Sequence, residues 1–191
     1  MRKLVYYVAV SLDGYIAGPQ GEFDFYPMCE DMMAWINERY PETVPTPIRE
    51  SVGLPLDTPN KTLDTLVMGR GTYEPGLALG STSPYDHLKQ YVFSSTLAPV
   101  DNPQVEVVDT DPVELVRQLK KEAGLAIWLC GGGKLAGQLL GEVDQLIIKS
   151  YPVIAGDGVG VFTGNFEPTQ FEVTQRAEFS SGAQVTWFDR A

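Results

Sequence analysis

One histidine and two cysteines in 191 residues are a thin supply of metal ligands and nucleophiles. Cys29, Cys130 and His87 have no metal-ligand spacing among them, so a zinc site and a histidine-based triad are excluded at the outset. Two thiols in a chain this long do not make a disulfide framework. Long apolar runs are also missing. The start, "MRKLVYYVAVSLDGYIAG", sets two basic residues before apolar ones, but Ser11, Asp13 and Gly14 break the run too soon for a secretory leader. Nothing approaches the roughly 20 apolar residues that span a bilayer. Positive charge is scarce too: 14 Lys and Arg stand against 25 Asp and Glu, a net charge of −11. Such a surface repels nucleic acid and anionic lipid. The expectation is a cytoplasmic protein with a small-molecule partner, no nucleic acid, no membrane and no metal.

What is present alternates. "LVYYVAV" (Leu4 to Val10) is a continuous apolar run rich in Val and Tyr, the pattern of a strand buried on both faces. "SLDGYIAG" reads as a loop. From Met28 to Tyr40 the spacing of Met28, Met32, Trp35 and Ile36 predicts a helix. Residues 41–60 hold five prolines and read as an extended Pro-rich insertion over the surface. Further strands are expected at Thr65–Gly69, Tyr91–Phe93, Val105–Val108, "AIWLC" and "VDQLIIKSYPVI". A helix should start at Pro112, capped by Asp111 and ended by Gly124. His87 reads as a solvated helix residue, and "AGDGVGVF" as a turn between strands. Alternation about "SSG" predicts a C-terminal hairpin. The sum is one α/β domain over residues 1–191, with a mostly parallel central sheet and an antiparallel end.

Three strand ends are compatible with an anion. In "WLCGGGKL" the glycines lie between a buried strand and a helix, where unpaired N–H groups and a partial positive charge face outward. A tight turn without a ligand explains the same letters. "VMGRGTYE" adds Arg70, able to hold a phosphate bidentately, and Thr72, placed to cap the next helix. "FSST" adds Ser94 and Ser95. Open parallel sheets bind ligands at the carboxyl ends of their strands, so the three together suit a long, multiply phosphorylated molecule.

"VAVSLDGYIAG", "LVMGRGTYE", "VFSST" and "IWLCGGGKLAGQLL", in this order, resemble the dihydrofolate reductase superfamily. "SLDGYIA" and "PVIAGDGVGVF" are more similar to its branch formed by the C-terminal reductase domain of riboflavin biosynthesis proteins. The resemblance covers about residues 2–164. It implies a dihydrofolate reductase-like three-layer α/β/α fold, an NADPH cofactor and a homodimer. It places Gly131, Gly132, Gly133, Lys134 and Leu135 around the cofactor diphosphate. Arg70, Ser94 and Ser95 would take the 2′-phosphate, with Gly69, Gly71 and Thr72 lining the groove. Ala9, Ile16 and Cys130 would lie near the nicotinamide, Cys130 as a small apolar wall.

For the chemistry, the resemblance points to Asp13 of "SLDG" near the substrate, with Asp24, Glu30 and Asp31 as the carboxylates near the first helix. Asp13 and Asp24 are the candidate catalytic residues, and all four are candidate substrate contacts. Asp13 before Gly14 also suits a plain turn, and Glu30 or Asp31 a plain helix start. The function expected is an NADPH-dependent reductase of a pterin-, flavin-precursor- or pyrimidine-like heterocycle. The alternatives are a housekeeping dihydrofolate reductase and, in another class, a nucleotide-binding protein without turnover.

Overall fold

Strand β1 (Leu4–Val10) is buried along its length except at Ala9, and it lies inside the sheet. The structure is a computed structural model that describes residues 1–191. After β1 come the short β2 (Tyr15–Ala17) and helix α1 (Glu30–Arg39). Next are β3 (Leu63–Gly69), α2 (Arg70–Ala78), β4 (Lys89–Phe93), β5 (Val105–Val108), α3 (Pro112–Leu119), β6 (Ala126–Gly131) and α4 (Gly133–Gln138). The chain ends with β7 (Gln145–Ser150), β8 (Val159–Gly160), β9 (Phe171–Glu178) and β10 (Gln184–Arg190). Eight strands form one sheet in the order β5-β4-β3-β6-β1-β7-β10-β9. The first six of these pair in parallel; β10 runs antiparallel to β7 and to β9.

Alternate residues of the buried strands feed two cores, as a period of two dictates. One face carries Val5, Tyr7, Trp128 and Ile147, covered by Met32 and Ile36 of α1 and Tyr73 of α2. The other carries Tyr6, Val8, Ile127 and Leu129, covered by Val116 and Leu119 of α3 and by Leu135, Ala136 and Leu139. Helices on both faces make the three layers expected. Each fully buried aliphatic side chain contributes about 1.5–3 kcal/mol, which is why near-continuous apolar strands settle in the middle.

Several expectations shift. The loop after β1 contains β2, which pairs with β8 inside "AGDGVGVF". Helix α1 starts at Glu30, leaving Met28 exposed. Residues 41–60 form three 3-10 turns rather than an extended excursion. They wrap around two fully buried charged residues, Glu42 and Arg49. Glu42 accepts from the backbone N–H groups of Lys61, Thr62 and Leu63; Arg49 donates to the carbonyls of Pro41 and Leu56. His87 is not on a helix. Its Nδ1 lies 3.1 Å from Thr46 Oγ1 and its Nε2 2.8 Å from the Glu42 carbonyl, fastening this segment to the turn before β4. Gly124 does not end α3, which stops at Leu119; a Cβ there would lie 2.6 Å from Asp64 Oδ2.

The cap of α3 is as expected: Asp111 accepts from Val113 N at 2.7 Å and Glu114 N at 3.2 Å. Asp111→Ala should therefore cost about 1 kcal/mol in urea unfolding, the usual worth of an N-cap side chain. A loss below about 0.3 kcal/mol would mean that packing alone holds the helix.

Candidate active-site cleft

β1 pairs with β6 through Leu4–Ile127, Val5–Trp128 and Tyr6–Leu129 and then leaves it. It stays in register with β7 to Ala9–Lys149 and Val10–Ser150. The carboxyl ends of β1 and β6 thus part, with Ala9 on one side of the opening and Cys130 and Gly131 on the other. The Tyr7 carbonyl takes the Trp128 indole N–H at 3.0 Å, and the Ala9 carbonyl lies 3.4 Å from the Tyr26 hydroxyl. The Trp128 side chain thus takes the place of strand pairing at Tyr7, while the Tyr26 hydroxyl donates to the Tyr15 carbonyl at 2.9 Å.

Two strand-to-helix turns meet over this opening. α2 follows β3 directly from Gly69, and α4 follows β6 through Gly132; neither N-terminus has a side-chain cap. A Cβ built on Gly131 or Gly132 would meet Thr72 Oγ1 at 3.6 or 3.7 Å, and on Gly131 also Ile16 Cδ1 at 3.9 Å. Gly132 is partly exposed here, whereas Gly131 is buried. Gly131 has φ +133°, a region that side-chain-bearing residues rarely enter. Thr72 lies within the first turn of α2 and does not cap it; Gly69 holds the cap position. Gly71 is exposed with nothing near its Cβ position.

Gly133 is a different case. A Cβ there would fall on the carbonyl oxygen of Gly160, and one on Gly137 on that of Thr163. Thr163 N donates to the Gly133 carbonyl at 3.0 Å. These glycines admit the 159–164 strap rather than a ligand. Leu135 is 5% exposed and belongs to the core, so only its backbone can face the cleft. Lys134 is exposed and makes no ion pair.

On the next strand ends, Arg70 bonds Glu74 through Nε at 2.6 Å and Thr96 Oγ1 through its terminal nitrogen at 2.6 Å. Ser94 Oγ accepts from the N–H groups of Thr96 and Leu97; Ser95 is exposed. Arg70, Ser94, Ser95 and Thr96 thus form one surface cluster. Thr96 was missed although it is the last letter of "FSST".

The carboxylates do not gather. No three His, Cys, Asp or Glu side chains come together. Asp13 accepts from Ser11 Oγ (2.6 Å), Ala155 N (3.0 Å) and Gly156 N (2.7 Å), and these donors, Ser11 first, hold its pKa down to about 2. It is an ionised clasp on the loop after β7, not a poised acid. Asp31 is likewise held at about 2, by Cys29 first and by Ser180 N and Oγ, which ties α1 to the hairpin turn. Asp24 and Glu30 are exposed, with no side-chain partner. The Cys130 thiol is pushed up to about 12 by burial, which suits a neutral wall. Lys149, a charge interrupting the apolar "LIIKSY", was also missed; it stands beside Ala9 at the same end. Two cavities lie elsewhere: one of about 380 Å³ at the amino ends of β1, β3 and β6, and one of about 520 Å³ against α1.

The fold is α/β with dihydrofolate reductase-like architecture and an opening at its strand ends. Residues 2–185 match the family described as RibD C-terminal domain, and the chain belongs to that family. Two uncharacterized proteins of Bacillus subtilis (strain 168) are similar over nearly the whole chain. YwjB is 28% identical, covering 96% of each chain; YyaP is 29% identical, covering 95% of this chain and 91% of its own. Among solved structures, a candidate riboflavin biosynthesis protein from Shewanella sp. PV-4 superposes with a TM-score of 0.71 at 24% identity, covering 100% of this chain and 99% of that one. The dihydrofolate reductase of Enterococcus faecalis, complexed with NADP(H) and RAB-propyl, gives 0.65 at 16% identity over 98% and 96%. A Thermotoga maritima diaminohydroxyphosphoribosylaminopyrimidine deaminase/5-amino-6-(5-phosphoribosylamino)uracil reductase gives 0.66 at 17% identity, this chain spanning 57% of it. At these identities the superpositions establish the fold.

Two predictions follow from the site's packing. Gly133→Ala should destabilise by about 1–3 kcal/mol as an overpacked contact with rigid backbone, while Gly132→Ala leaves stability within about 0.5 kcal/mol. Equal effects in thermal melts would refute the division of the glycines. Asp13 has a folded pKa below its ordinary 3.8, so its contribution is present above that pH and lost as pH falls toward about 2. Asp13→Asn should lower stability at neutral pH and flatten the acid limb between about pH 4 and 2. An unchanged acid limb would detach Asp13 from the 155–156 loop.

Proposed function

We propose that this chain is a single-domain NADPH-dependent reductase of a small heterocyclic substrate. The observation that carries it is the cleft where β1 leaves β6, floored by Gly131 and Gly132, which present no side chain, and faced by Thr72. The space beside those glycines, which a Cβ would fill, fits a diphosphate approaching backbone N–H groups. The Gly69–Thr72 turn lines the same groove, with Lys134 at its lip. Ala9, Ile16 and Cys130 offer small apolar surfaces for a nicotinamide, whose bound form supplies hydride. Family membership and the reductases among the structural neighbours support this reading.

Arg70 with Ser94 and Ser95 is the proposed 2′-phosphate clamp. Its i,i+4 pair with Glu74 is about half exposed. Such pairs are worth about 0.3–0.5 kcal/mol. A charge-assisted bond to phosphate is worth about 1.5–3 kcal/mol, so the exchange is favourable. A folate reductase reading needs a free carboxylate from the first helix; Asp31 is committed to Ser180 and Glu30 is exposed, which weighs against it. The locking of Asp13 and Asp31 as ionised acceptors favours, as second reading, a nucleotide-binding protein without turnover. NADPH oxidation across a heterocycle panel separates the two.

NADPH at about 100 times its dissociation constant should raise the melting midpoint by about 5–10 °C. NADH should raise it less, and Arg70→Ala should make the two shifts equal. Equal shifts with the unmutated protein would remove the clamp. No shift with either at millimolar concentration would remove the nucleotide from the cleft.

A further inference from the structure

Lys149 is the one charged side chain on the inner face of β7, and nothing in the fold neutralises it. Its cross-strand partners are Ala9 on β1 and Val185 on β10. Its ammonium sits 4.4 Å from the Tyr7 ring centre. No carboxylate lies within ion-pairing distance and Nζ donates to no acceptor. Lys149 is partly exposed, so its unpaired ammonium, held over the Tyr7 ring, is left to solvent or to a ligand.

Its surroundings explain what it could meet. Tyr7 stacks edge-on against Trp128, and Trp128 against Tyr85; Tyr26 and Tyr151 stack at the same end. Ala9, Tyr85, Cys130 and Lys149 remain partly exposed over otherwise buried residues. Flat aromatic walls with one cation suit a planar ring bearing an acceptor oxygen or nitrogen. We propose that Lys149 is a catalytic residue of this cleft, docking a carbonyl or ring-nitrogen acceptor of a planar heterocyclic dione or pteridinone and protonating it. This rests on the reductase reading above. The polar C=N or C=O bond gains hydride at carbon from a reduced nicotinamide and a proton at the heteroatom from the ammonium. The neutral amine then regains a proton from water.

The titratable neighbours leave the ammonium poised. Tyr7 from β1, Tyr26 ahead of α1, Tyr85 ahead of β4, Cys130 from β6 and Tyr151 after β7 are all pushed up by burial and stay neutral. β10 offers Val185 and Trp187, and α1 offers Met32 and Ile36, none of them charged. Burial lowers Lys149 to about 8, near the working range of a proton donor.

The test uses the whole protein and the variants Lys149→Met and Lys149→Arg, with lumazine as the planar probe. Lysines are methylated with a 13C label and titrated by NMR. One resonance, absent from Lys149→Arg, should move near pH 8. With NADPH present, lumazine should quench on binding and shift that resonance; Lys149→Met should bind it about tenfold or more weakly, and Lys149→Arg within about threefold. All three proteins should keep the NADPH melting shift. Equal lumazine binding by Lys149→Met, no lumazine binding by the unmutated protein, or a Lys149 resonance titrating with the rest overturns the proposal. Those outcomes with the NADPH shift intact leave the reductase reading standing, whereas a lost shift in the unmutated protein sinks that reading itself.

Discussion

An interior strand of a parallel sheet normally spends its backbone hydrogen bonds on two neighbours. β1 does so on one side as far as Val10 and on the other only as far as Tyr6. Past that point the carbonyls facing β6 still need donors, since an unpaired buried carbonyl costs as much as a lost hydrogen bond. Trp128 supplies the one at Tyr7 from its indole N–H. The rest of the site follows from this split: the glycine turn after β6 faces an opening rather than a neighbour, and the β3 turn can lean over it.

Much of this was legible from local pattern. β1 and β5 match their apolar runs residue for residue, and the Asp111 cap is as read. Burial on both faces gives a strand a continuous apolar signature that needs no partner to recognise. What was not legible depends on distant residues. β2 is three residues long and exists because β8, about 140 positions later, bonds to it. The segment 41–60 looks featureless because its order comes from buried Glu42 and Arg49, residue types that usually signal surface. His87 was misplaced for the same reason, its partners lying about 40 residues upstream. The run "GGGK" gave no hint that its third glycine answers to Gly160 and not to a ligand.

Net charge and local charge part company here. At −11 the chain as a whole repels a phosphorylated ligand. Screening within about 8–10 Å lets a few cations dominate a cleft despite that excess. On the reductase reading, Arg70 and Lys134 stand at its lip and Lys149 inside. Two acidic side chains nearest the expected chemistry, Asp13 and Asp31, are held as anions by local N–H and O–H donors.

The same bookkeeping bears on catalysis. A carboxylate that accepts two or three hydrogen bonds is stabilised as the anion and becomes a poor acid at neutral pH. Asp13 and Asp31 both have this environment, and both fasten one loop to another. Lys149 has the opposite environment: burial destabilises its charged form and no carboxylate pairs with it. Groups whose surroundings push pKa values apart sort naturally into holders and donors. On the reductase reading, the acids of the first loop and first helix keep the cleft's walls in place. The proton is then left to Lys149, the cleft side chain whose burial weakens its hold on it.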